Sequence, residues 1–347
     1  MKKIHAKHNI DRNVARFGLA DSPELCKLVA DSIPAEILRN ARHILDVGQG
    51  CCGISKAIVN RLVNELDVSF FDAILRVHGV DTDLALTNRA KRLGFIHTTC
   101  ADFLQWQPDV KFDVIVGNPP YQNPDKAKKV ANGRSANGTP LWVKFIQKSA
   151  ELLSEGGSLS LLVPAAVATP GGRGMKAAKG LTPISITFGM EKFFNVKTEI
   201  ALVTWEKTQH LRPFRVNGLC YPESLPIANV GSQEELDRLC EIWSGNSPWK
   251  YMDNRAHGKK ENLDKILVIR RMYSGKTFAY NMGLDLSKFD RESVIGLENV
   301  TAKEAQQWAA FFSSDDGKFL RKAINYAGNI SAKFLQPVNP NVVNKVR

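Results

Sequence analysis

In Val114-Ile115-Val116-Gly117-Asn118-Pro119-Pro120-Tyr121 an apolar run enters an Asn-Pro-Pro-Tyr corner, and the class of fold follows from it. The apolar run predicts a buried strand. The two prolines fix φ and lack N–H groups, so the corner is neither helix nor central strand. The Asn118 amide oxygen and the carbonyls of Asn118 and Pro119 form a cluster of acceptors beside Tyr121. At the carboxyl end of a parallel strand, such a cluster suits a nucleobase with an exocyclic amine. A plain Pro-Pro turn is the alternative.

The corner is similar to a known motif. Asn-Pro-Pro-Tyr after an apolar strand resembles motif IV of the S-adenosylmethionine-dependent amino-methyltransferases, most closely the adenine-N6 DNA methyltransferases of restriction-modification type with the gamma order of motifs. The resemblance implies a class I methyltransferase fold, which is an α/β, Rossmann-like, doubly wound sheet of seven strands, followed by a mixed α+β target-recognition domain. It also implies S-adenosylmethionine as the cofactor. The implied catalytic residues are Asn118, Pro119, Pro120 and Tyr121, and Asn118 is also expected to contact the cofactor.

A glycine turn lies upstream, in Asp46-Val47-Gly48-Gln49-Gly50-Cys51-Cys52-Gly53. The sequence predicts a buried strand that breaks into this turn before a helix from about Ile54 to Leu66. Glycines let a backbone approach a ligand closely, although an ordinary strand-helix corner is the alternative. The turn resembles motif I of class I methyltransferases, which implies that Asp46, Gly48 and Gly50 hold the cofactor. Cys52 departs from the motif, because it stands where the third glycine usually falls.

Acidic residues follow the next two predicted strands. Asp81 ends a strand that begins at Val77, and a carboxylate there is placed to accept both ribose hydroxyls of an adenosyl group. Asp83 is predicted to cap the following helix. The segment after the third strand is similar to motif III, which implies that Asp102 takes the amino group of the cofactor's adenine and Phe103 packs on that ring. A solvated loop acid is the alternative for Asp102.

Two basic segments downstream predict contacts to DNA phosphates. Residues 122–139 are too irregular for helix or strand, and long loops beside a site are usually lids or binding loops. A glycine-rich segment near 171–179 is predicted to be a second loop of this kind. Solvated surface loops are the alternative. The candidate residues are Lys126, Lys128, Lys129, Arg134, Arg173 and Lys176.

The β-rich runs Ile184–Phe188 and Glu199–Trp205 predict the hairpin that closes the sheet. Phe194 lies between them and matches the motif VIII aromatic that packs on a flipped base. A core phenylalanine is the equal alternative.

The alternation of strands and helices stops near Lys207, which predicts two domains. Residues 1–207 are expected to be the S-adenosylmethionine-binding catalytic domain, and residues 208–347 the DNA target-recognition domain. The second region carries 20 Lys and Arg against 15 Asp and Glu. Two late helices are predicted in it, around Ala302–Ser313 and Lys318–Tyr326. Arg270, Arg271 and Tyr273 form a basic-aromatic cluster suited to phosphates and bases.

Composition limits the possible functions. The net charge of +12 and the isoelectric point near 9.4 favour a polyanionic partner, since Lys and Arg that neutralise phosphates release counterions. No stretch of 18 apolar residues and no signal-peptide core occurs, so we expect a cytoplasmic protein that binds no membrane. The six cysteines and seven histidines lack ligand spacing, so no metal site is predicted.

Together these patterns predict a site-specific methyltransferase that acts on the N6 amine of adenine in double-stranded DNA, with base flipping. We expect a monomer in a bacterial or phage-infected cell, with a cognate restriction endonuclease as a candidate partner. Two alternatives stay open. One is an rRNA or protein-glutamine methyltransferase, because Asn-Pro-Pro-Tyr also marks those enzymes, and the other is a catalytically silent DNA-binding protein on the same scaffold.

Overall fold

The computed structural model describes residues 22–121, 139–194, 196, 198–208, 212–245, 249–253, 267–270, 294–298, 300–327 and 332–345. The described residues form two compact units. The first contains the chain up to Pro164 and Lys176–Pro213, and the second contains Ala165–Met175 and the chain from Phe214 onward. The functions expected of residues 1–207 and 208–347 stay predictions.

The first unit is built on a mainly parallel sheet in the order β3-β2-β1-β4-β5-β7-β6. Strands β1 to β5 pair in parallel, whereas β7 is antiparallel to both β5 and β6. This order reverses direction at β1 and β4, so both strands point their carboxyl ends at the same crevice. The predicted class I methyltransferase fold, including its closing hairpin, is confirmed. The strands are β1 (Ile44–Val47), β2 (Val77–Asp81), β3 (His97–Cys100), β4 (Phe112–Gly117), β5 (Leu153–Pro164), β6 (Thr182–Thr187) and β7 (Ile200–Glu206).

Helices flank this sheet, and three of those described begin at a residue whose side chain accepts a hydrogen bond from the first turn. Ser22 before Pro23 predicts a helix start, as Asp83 does, and both predictions are confirmed. The Ser22 hydroxyl accepts a hydrogen bond from the Leu25 amide, and Asp83 Oδ1 accepts from the Ala85 and Leu86 amides. Leu25 and Ile58, on two packed helices, are at most 1% exposed in the core. The helices are α1 (Pro23–Asp31), α2 (Ala35–Asn40), α3 (Gly53–Asn64), α4 (Phe70–Leu75), α5 (Leu84–Arg92) and α6 (Leu141–Leu152).

Two expectations about loops are corrected. The sequence predicts that Gly156-Gly157 ends a helix and that a strand starts at Ser158, but α6 ends at Leu152 and β5 begins at Leu153. The glycines sit where the β4–β5 register shifts, and Gly156 has φ of +77°, so they shape an irregular strand instead of a loop. The segment near 171–179 is also not a plain loop, because it contains the short helix α7 (Arg173–Ala177).

The second unit mixes helices and short strands around an aromatic core. Trp308, Phe311 and Phe312 are at most 1% exposed, and the Trp308 and Phe312 rings stack with centroids 5.3 Å apart. The Thr301 hydroxyl and the Glu304 carboxylate form a capping box that starts the helix carrying them. The elements are β8 (Arg215–Val216), β9 (Leu219–Cys220), α8 (Gln233–Ile242), β10 (Lys250–Asp253), β11 (Leu267–Arg270), β12 (Val294–Glu298), α9 (Ala302–Ser313), α10 (Asp315–Ile324) and α11 (Pro340–Lys345).

Candidate active site

The glycine turn after β1 has a left-handed backbone at three positions. Gly48, Gly50 and Cys52 have φ of +68°, +53° and +63°. Glycine adopts this conformation freely, whereas a residue with a Cβ is strained by it. The Cys52 side chain is fully buried in the hydrophobic core, and this burial offsets the strain. The loop therefore keeps a left-handed residue at the position where the motif usually has its third glycine.

Asp81 organises this loop from the end of β2. Its Oδ2 accepts a hydrogen bond from the Gly50 amide and its Oδ1 accepts one from the Asp83 amide, each at 2.9 Å. The side chain is half-buried. Each carboxylate oxygen can accept more than one hydrogen bond, so the two hydroxyls of a ribose still fit here.

Asp46 lies beneath the loop and is 1% exposed. Burial raises the pKa of its carboxyl to about 7, against the opposing effect of hydrogen bonds from the Ser55 hydroxyl and amide. Those two donors lie 2.6 and 3.1 Å from Asp46 Oδ2. Asp46 therefore anchors the start of α3, and its contact with the cofactor stays a prediction.

Asp102 and Phe103 differ in exposure. Asp102 is exposed, and its Oδ1 accepts from the Leu104 amide at 2.9 Å. Phe103 is 4% exposed and packs against Phe145, with ring centroids 4.9 Å apart. Asp102 can reach a ligand at the carboxyl end of β3, while most of the Phe103 ring faces protein.

The Asn-Pro-Pro-Tyr corner lies directly beside the glycine loop. A Cβ on Gly117 would lie 2.3 Å from the Val47 carbonyl oxygen, so β1 and β4 approach closely only because residue 117 is glycine. An ideal Cβ on Gly48 would lie 3.7 Å from the carbonyl oxygen of Asn118, which brings the cofactor loop against the corner. The Tyr121 hydroxyl donates to Asn118 Oδ1 at 3.2 Å.

Tyr121 of the corner and Phe194 are the two aromatic residues predicted for the site. Both are half-buried and pack against the same hydrophobic cluster. Burial raises the pKa of the Tyr121 hydroxyl, so it is a hydrogen-bond donor at neutral pH. The hydrogen bond from Tyr121 to Asn118 was not predicted, although the spacing of three residues across a rigid corner is a signal that could have suggested it.

The predicted DNA-contacting residues are placed only in part. Arg173 and Lys176 are exposed on α7, in helix rather than loop, and fall in different units. Arg270 lies in β11, but its side chain is outside the described part of the chain. The remaining predicted residues lie outside the described residues; they are Lys126, Lys128, Lys129, Arg134, Arg271 and Tyr273.

Two other kinds of site are absent from the described residues. These residues contain no group of three or more His, Cys, Asp or Glu side chains arranged to hold a metal ion. None of the helices they form has the length and apolar composition needed to cross a membrane. The cysteines are not joined in disulfides; they are Cys26, Cys51, Cys52, Cys100, Cys220 and Cys240.

Residues 60–182 match the family model described as the Eco57I restriction-modification methylase. The resemblance to restriction-modification methyltransferases is confirmed. The matched segment runs from α3 through the Asn-Pro-Pro-Tyr corner into β6, and so contains Asp81, Asp102 and Asn118. It supports S-adenosylmethionine as the cofactor, as the sequence predicts.

Relatives fall into two groups by name. The type II methyltransferase M.TthHB8I of Thermus thermophilus is 40% identical over 79 residues, which cover 19% of this chain and 18% of the relative. The tRNA1(Val) (adenine(37)-N6)-methyltransferase of Actinobacillus succinogenes is 29% identical over 140 residues, 37% of this chain and 55% of the relative. The chain thus spans about a fifth to a half of the length of these curated relatives. Among solved structures, the M protein of the type I restriction enzyme EcoKI is 16% identical with a TM-score of 0.37, over 53% of this chain and 43% of that one.

Proposed function

We propose that the chain transfers a methyl group from S-adenosylmethionine to the N6 amine of adenine in double-stranded DNA. One observation carries this proposal: the Asn118 carbonyl lies against Gly48 of the glycine loop, so an acceptor cluster suited to an amine adjoins the loop suited to the cofactor. The left-handed glycines, the half-buried Asp81 and the exposed Asp102 all lie at the carboxyl ends of β1 to β3 and fit an adenosyl group with a methionine tail.

The corner activates a poor nucleophile by position. The lone pair of N6 is delocalised into the adenine ring, and acceptors for both N–H groups draw the nitrogen toward tetrahedral geometry. Asn118 Oδ1 accepts one of these hydrogens and the Pro119 carbonyl accepts the other; an amide oxygen has two lone pairs, so Asn118 can keep its bond from Tyr121 as well. When bound, S-adenosylmethionine supplies an electrophilic methyl group on its sulfonium. The methylated nitrogen then releases one proton to solvent, so no strong base is needed.

The target amine lies inside a duplex, so the adenine is extruded at a cost of a few kcal/mol. Stacking on an aromatic ring returns about 1–3 kcal/mol for each base contact. Tyr121 borders the corner and is the ring we assign to this role. Phe194 packs on the same cluster and is the second candidate.

The second candidate function is methylation of adenine in tRNA. It is favoured by the relatives named tRNA1(Val) (adenine(37)-N6)-methyltransferases, which are aligned over longer stretches than the type II methyltransferases. Both reactions use the same acceptor cluster, so the corner does not discriminate between them.

Mass spectrometry of digested substrates separates these functions. Purified protein is incubated with S-adenosylmethionine bearing a deuterated methyl group and with unmethylated plasmid DNA, total tRNA or total protein. We expect labelled N6-methyldeoxyadenosine from DNA, at least tenfold above any labelled product from tRNA or protein. Label in N6-methyladenosine or in methylated glutamine would replace the DNA proposal. No label, together with no binding of S-adenosylmethionine, would indicate the silent scaffold.

Sequence recognition is assigned to residues 208–347, and phosphate contact to the basic segments 122–139 and 171–179. Loss of a phosphate contact weakens binding to all sequences alike, whereas each base-edge contact carries roughly 1–3 kcal/mol of discrimination between bases.

We expect Lys128→Ala with Lys129→Ala to lower the affinity for DNA and flatten its salt dependence without changing the methylated motif. We expect Arg270→Ala or Tyr273→Ala to change the motif. Methylome sequencing of cells that express each variant measures both, and Lys91→Ala with Arg92→Ala, exposed on α5, is the control for loss of two charges.

A further inference from the structure

Three residues stand in one row across the strands that carry the predicted cofactor residues. Asp46 on β1 is in register with Gly79 on β2, and Gly79 is in register with Thr98 on β3. Residues in register on parallel strands face the same side of a sheet, so the Asp46 and Thr98 side chains flank Gly79 on one face. Asp46 and Thr98 are 1% and 3% exposed.

The side chain of Gln49 occupies the space above Gly79. A Cβ on Gly79 would lie 2.0, 2.3 and 2.6 Å from Oε1, Cδ and Nε2 of Gln49, so the amide lies directly over that glycine. Gln49 is 5% exposed although it belongs to the glycine loop. Any other residue at position 79 would displace it.

Gln49 completes a hydrogen-bonded chain across three strands. Ser55 donates its hydroxyl proton to Asp46 Oδ2 at 2.6 Å, so Ser55 Oγ can only accept from Gln49 Nε2, which lies at 3.0 Å. The amide oxygen of Gln49 therefore points at Thr98, whose Oγ1 lies 2.9 Å away. The Thr98 hydroxyl proton is placed to donate to Gln49 Oε1 and also to the Phe95 carbonyl oxygen, each 2.9 Å from Thr98 Oγ1.

These hydrogen bonds between side chains hold a loop whose glycines would otherwise have much conformational freedom. Gln49 stands between Gly48 and Gly50, both with left-handed φ, and glycine has more conformational freedom to lose than any other residue. The loop amides of Gly48 and Gln49 donate to the Val80 carbonyl at 2.9 and 3.3 Å, which ties the loop to β2. The Gln49 side chain adds the tie to β3.

We infer that Gln49 and Thr98 are positioning residues for the cofactor: their buried hydrogen bond holds the glycine loop in the conformation that binds S-adenosylmethionine. This inference rests on the cofactor named in the proposed function. Neither side chain touches the cofactor or the reacting atoms; both act through the backbone of Gly48 and Gly50.

Equilibrium binding of S-adenosylmethionine and S-adenosylhomocysteine by calorimetry tests the inference. Thr98→Val keeps the shape of the side chain but leaves the buried oxygen of Gln49 without a donor, so we expect Kd to rise roughly tenfold for both ligands. The KM for S-adenosylmethionine should rise by a similar factor, while kcat at saturating cofactor and KM for DNA change less than about twofold, since the acceptor corner is untouched. Thr98→Ser restores the hydroxyl and should restore the affinity.

Two controls separate positioning from general damage. Thr99→Val changes the neighbouring, half-exposed threonine on the opposite face of β3 and should leave Kd unchanged. Gln49→Leu should raise Kd as much as Thr98→Val or more, and adding Thr98→Val to Gln49→Leu should have little further effect, because the partner is already gone. Thermal unfolding without ligand identifies any variant that fails to fold. If Thr98→Val does not fold, the Kd values of Thr98→Ser and Gln49→Leu decide the test.

The outcomes distinguish this inference from the function on which it rests. If the wild-type protein binds neither ligand, the proposed cofactor is wrong. If it binds both and Thr98→Val binds as tightly, or if the double variant shows additive losses, the inference is overturned while the cofactor stands.

Discussion

The two ends of the parallel strands in the first unit use polar side chains in different ways. At the carboxyl ends, Asp81 and Asn118 accept hydrogen bonds from nearby groups and keep further lone pairs for a ligand. At the amino ends, three imidazoles pack together. His43 Nδ1 lies 3.1 Å from His78 Nε2, and the His78 ring stacks on the His97 ring with centroids 4.9 Å apart.

The difference follows from what surrounds each end. The carboxyl ends lead into the glycine loop and the Asn-Pro-Pro-Tyr corner, where backbone and side-chain acceptors face a crevice. At the amino ends, His78 also meets the ring of Phe112 edge-on, so its polar ring is enclosed by other rings. We therefore expect the carboxyl ends to govern activity and the amino ends to govern stability.

Replacing Asn118 should give the largest separation of these two properties. Asn118→Ala removes an acceptor that acts on the amine in the transition state, so kcat should fall by about 100-fold or more. The free energy of unfolding should change little, because the side chain is half-buried and outside the core. Steady-state methylation of plasmid DNA and urea unfolding measure the two quantities.

The matched variant at the other end is His78→Leu, which should lower stability and leave kcat within about twofold. Equal losses of activity in Asn118→Ala and His78→Leu would show that the two ends of the strands do not differ in function. So would full methylation by Asn118→Ala, which would also refute the proposed mechanism.

A smaller change at the corner separates the role of the Tyr121 hydroxyl from that of its ring. Tyr121→Phe removes the hydroxyl that donates to Asn118 Oδ1 at 3.2 Å but keeps the ring. Loss of one orienting hydrogen bond should lower kcat by roughly 2- to 10-fold. With 2-aminopurine at the target position, the rise in fluorescence on binding should persist in Tyr121→Phe and diminish in Tyr121→Ala. Loss of the fluorescence rise in Tyr121→Phe would show that the hydroxyl, rather than the ring, holds the extruded base.

Local sequence signals predicted much of the fold. The Ser22-Pro23 pair and Asp83 start helices because their side chains or ring satisfy the first turn, which depends on neighbouring residues alone. The helix α9 has the bounds the sequence indicates, Ala302–Ser313. For α10 the sequence indicates Lys318–Tyr326, but it runs from Asp315 to Ile324, since Ser314 caps it and two aspartates fill its first turn.

Features that depend on distant residues were not predicted. Helix α4 has only six residues, and Phe70 and Phe71 are 54% and 78% exposed, so its apolar residues show no usable periodicity. The bond between Gln49 and Thr98 joins positions 49 residues apart, and it depends on a strand register that no local pattern encodes. The burial of Asp46 and Phe103, which are 1% and 4% exposed, also depends on distant residues, and their ligand roles stay predictions.

The smallest expected effect is on how stability depends on pH, and it distinguishes the two ends by sign. Burial and the neighbouring His97 and His43 lower the pKa of His78 to about 4 from its ordinary 6.5. Between these values the unfolded chain binds more protons at His78, so this residue contributes stability that is lost as pH falls from 6.5 toward 4. Asp46 behaves in the opposite way, because its folded pKa of about 7 exceeds the ordinary 3.8. Its contribution is complete below about pH 4 and is lost as pH rises toward 7.

Between pH 4 and 6.5 the two contributions oppose each other, each by at most about 1.4 kcal/mol per pH unit. The difference in the free energy of unfolding between His78→Leu and wild type should therefore fall as pH rises across this window, because the variant lacks the His78 contribution, which increases with pH. The same difference for Asp46→Asn should rise with pH, because that variant lacks the Asp46 contribution, which decreases with pH. Other titrating groups are common to all three proteins and cancel in the differences. Urea unfolding at pH 4.5, 5.5 and 6.5 gives the slopes, and equal slopes in the two variants would show that neither end carries the buried titration assigned to it.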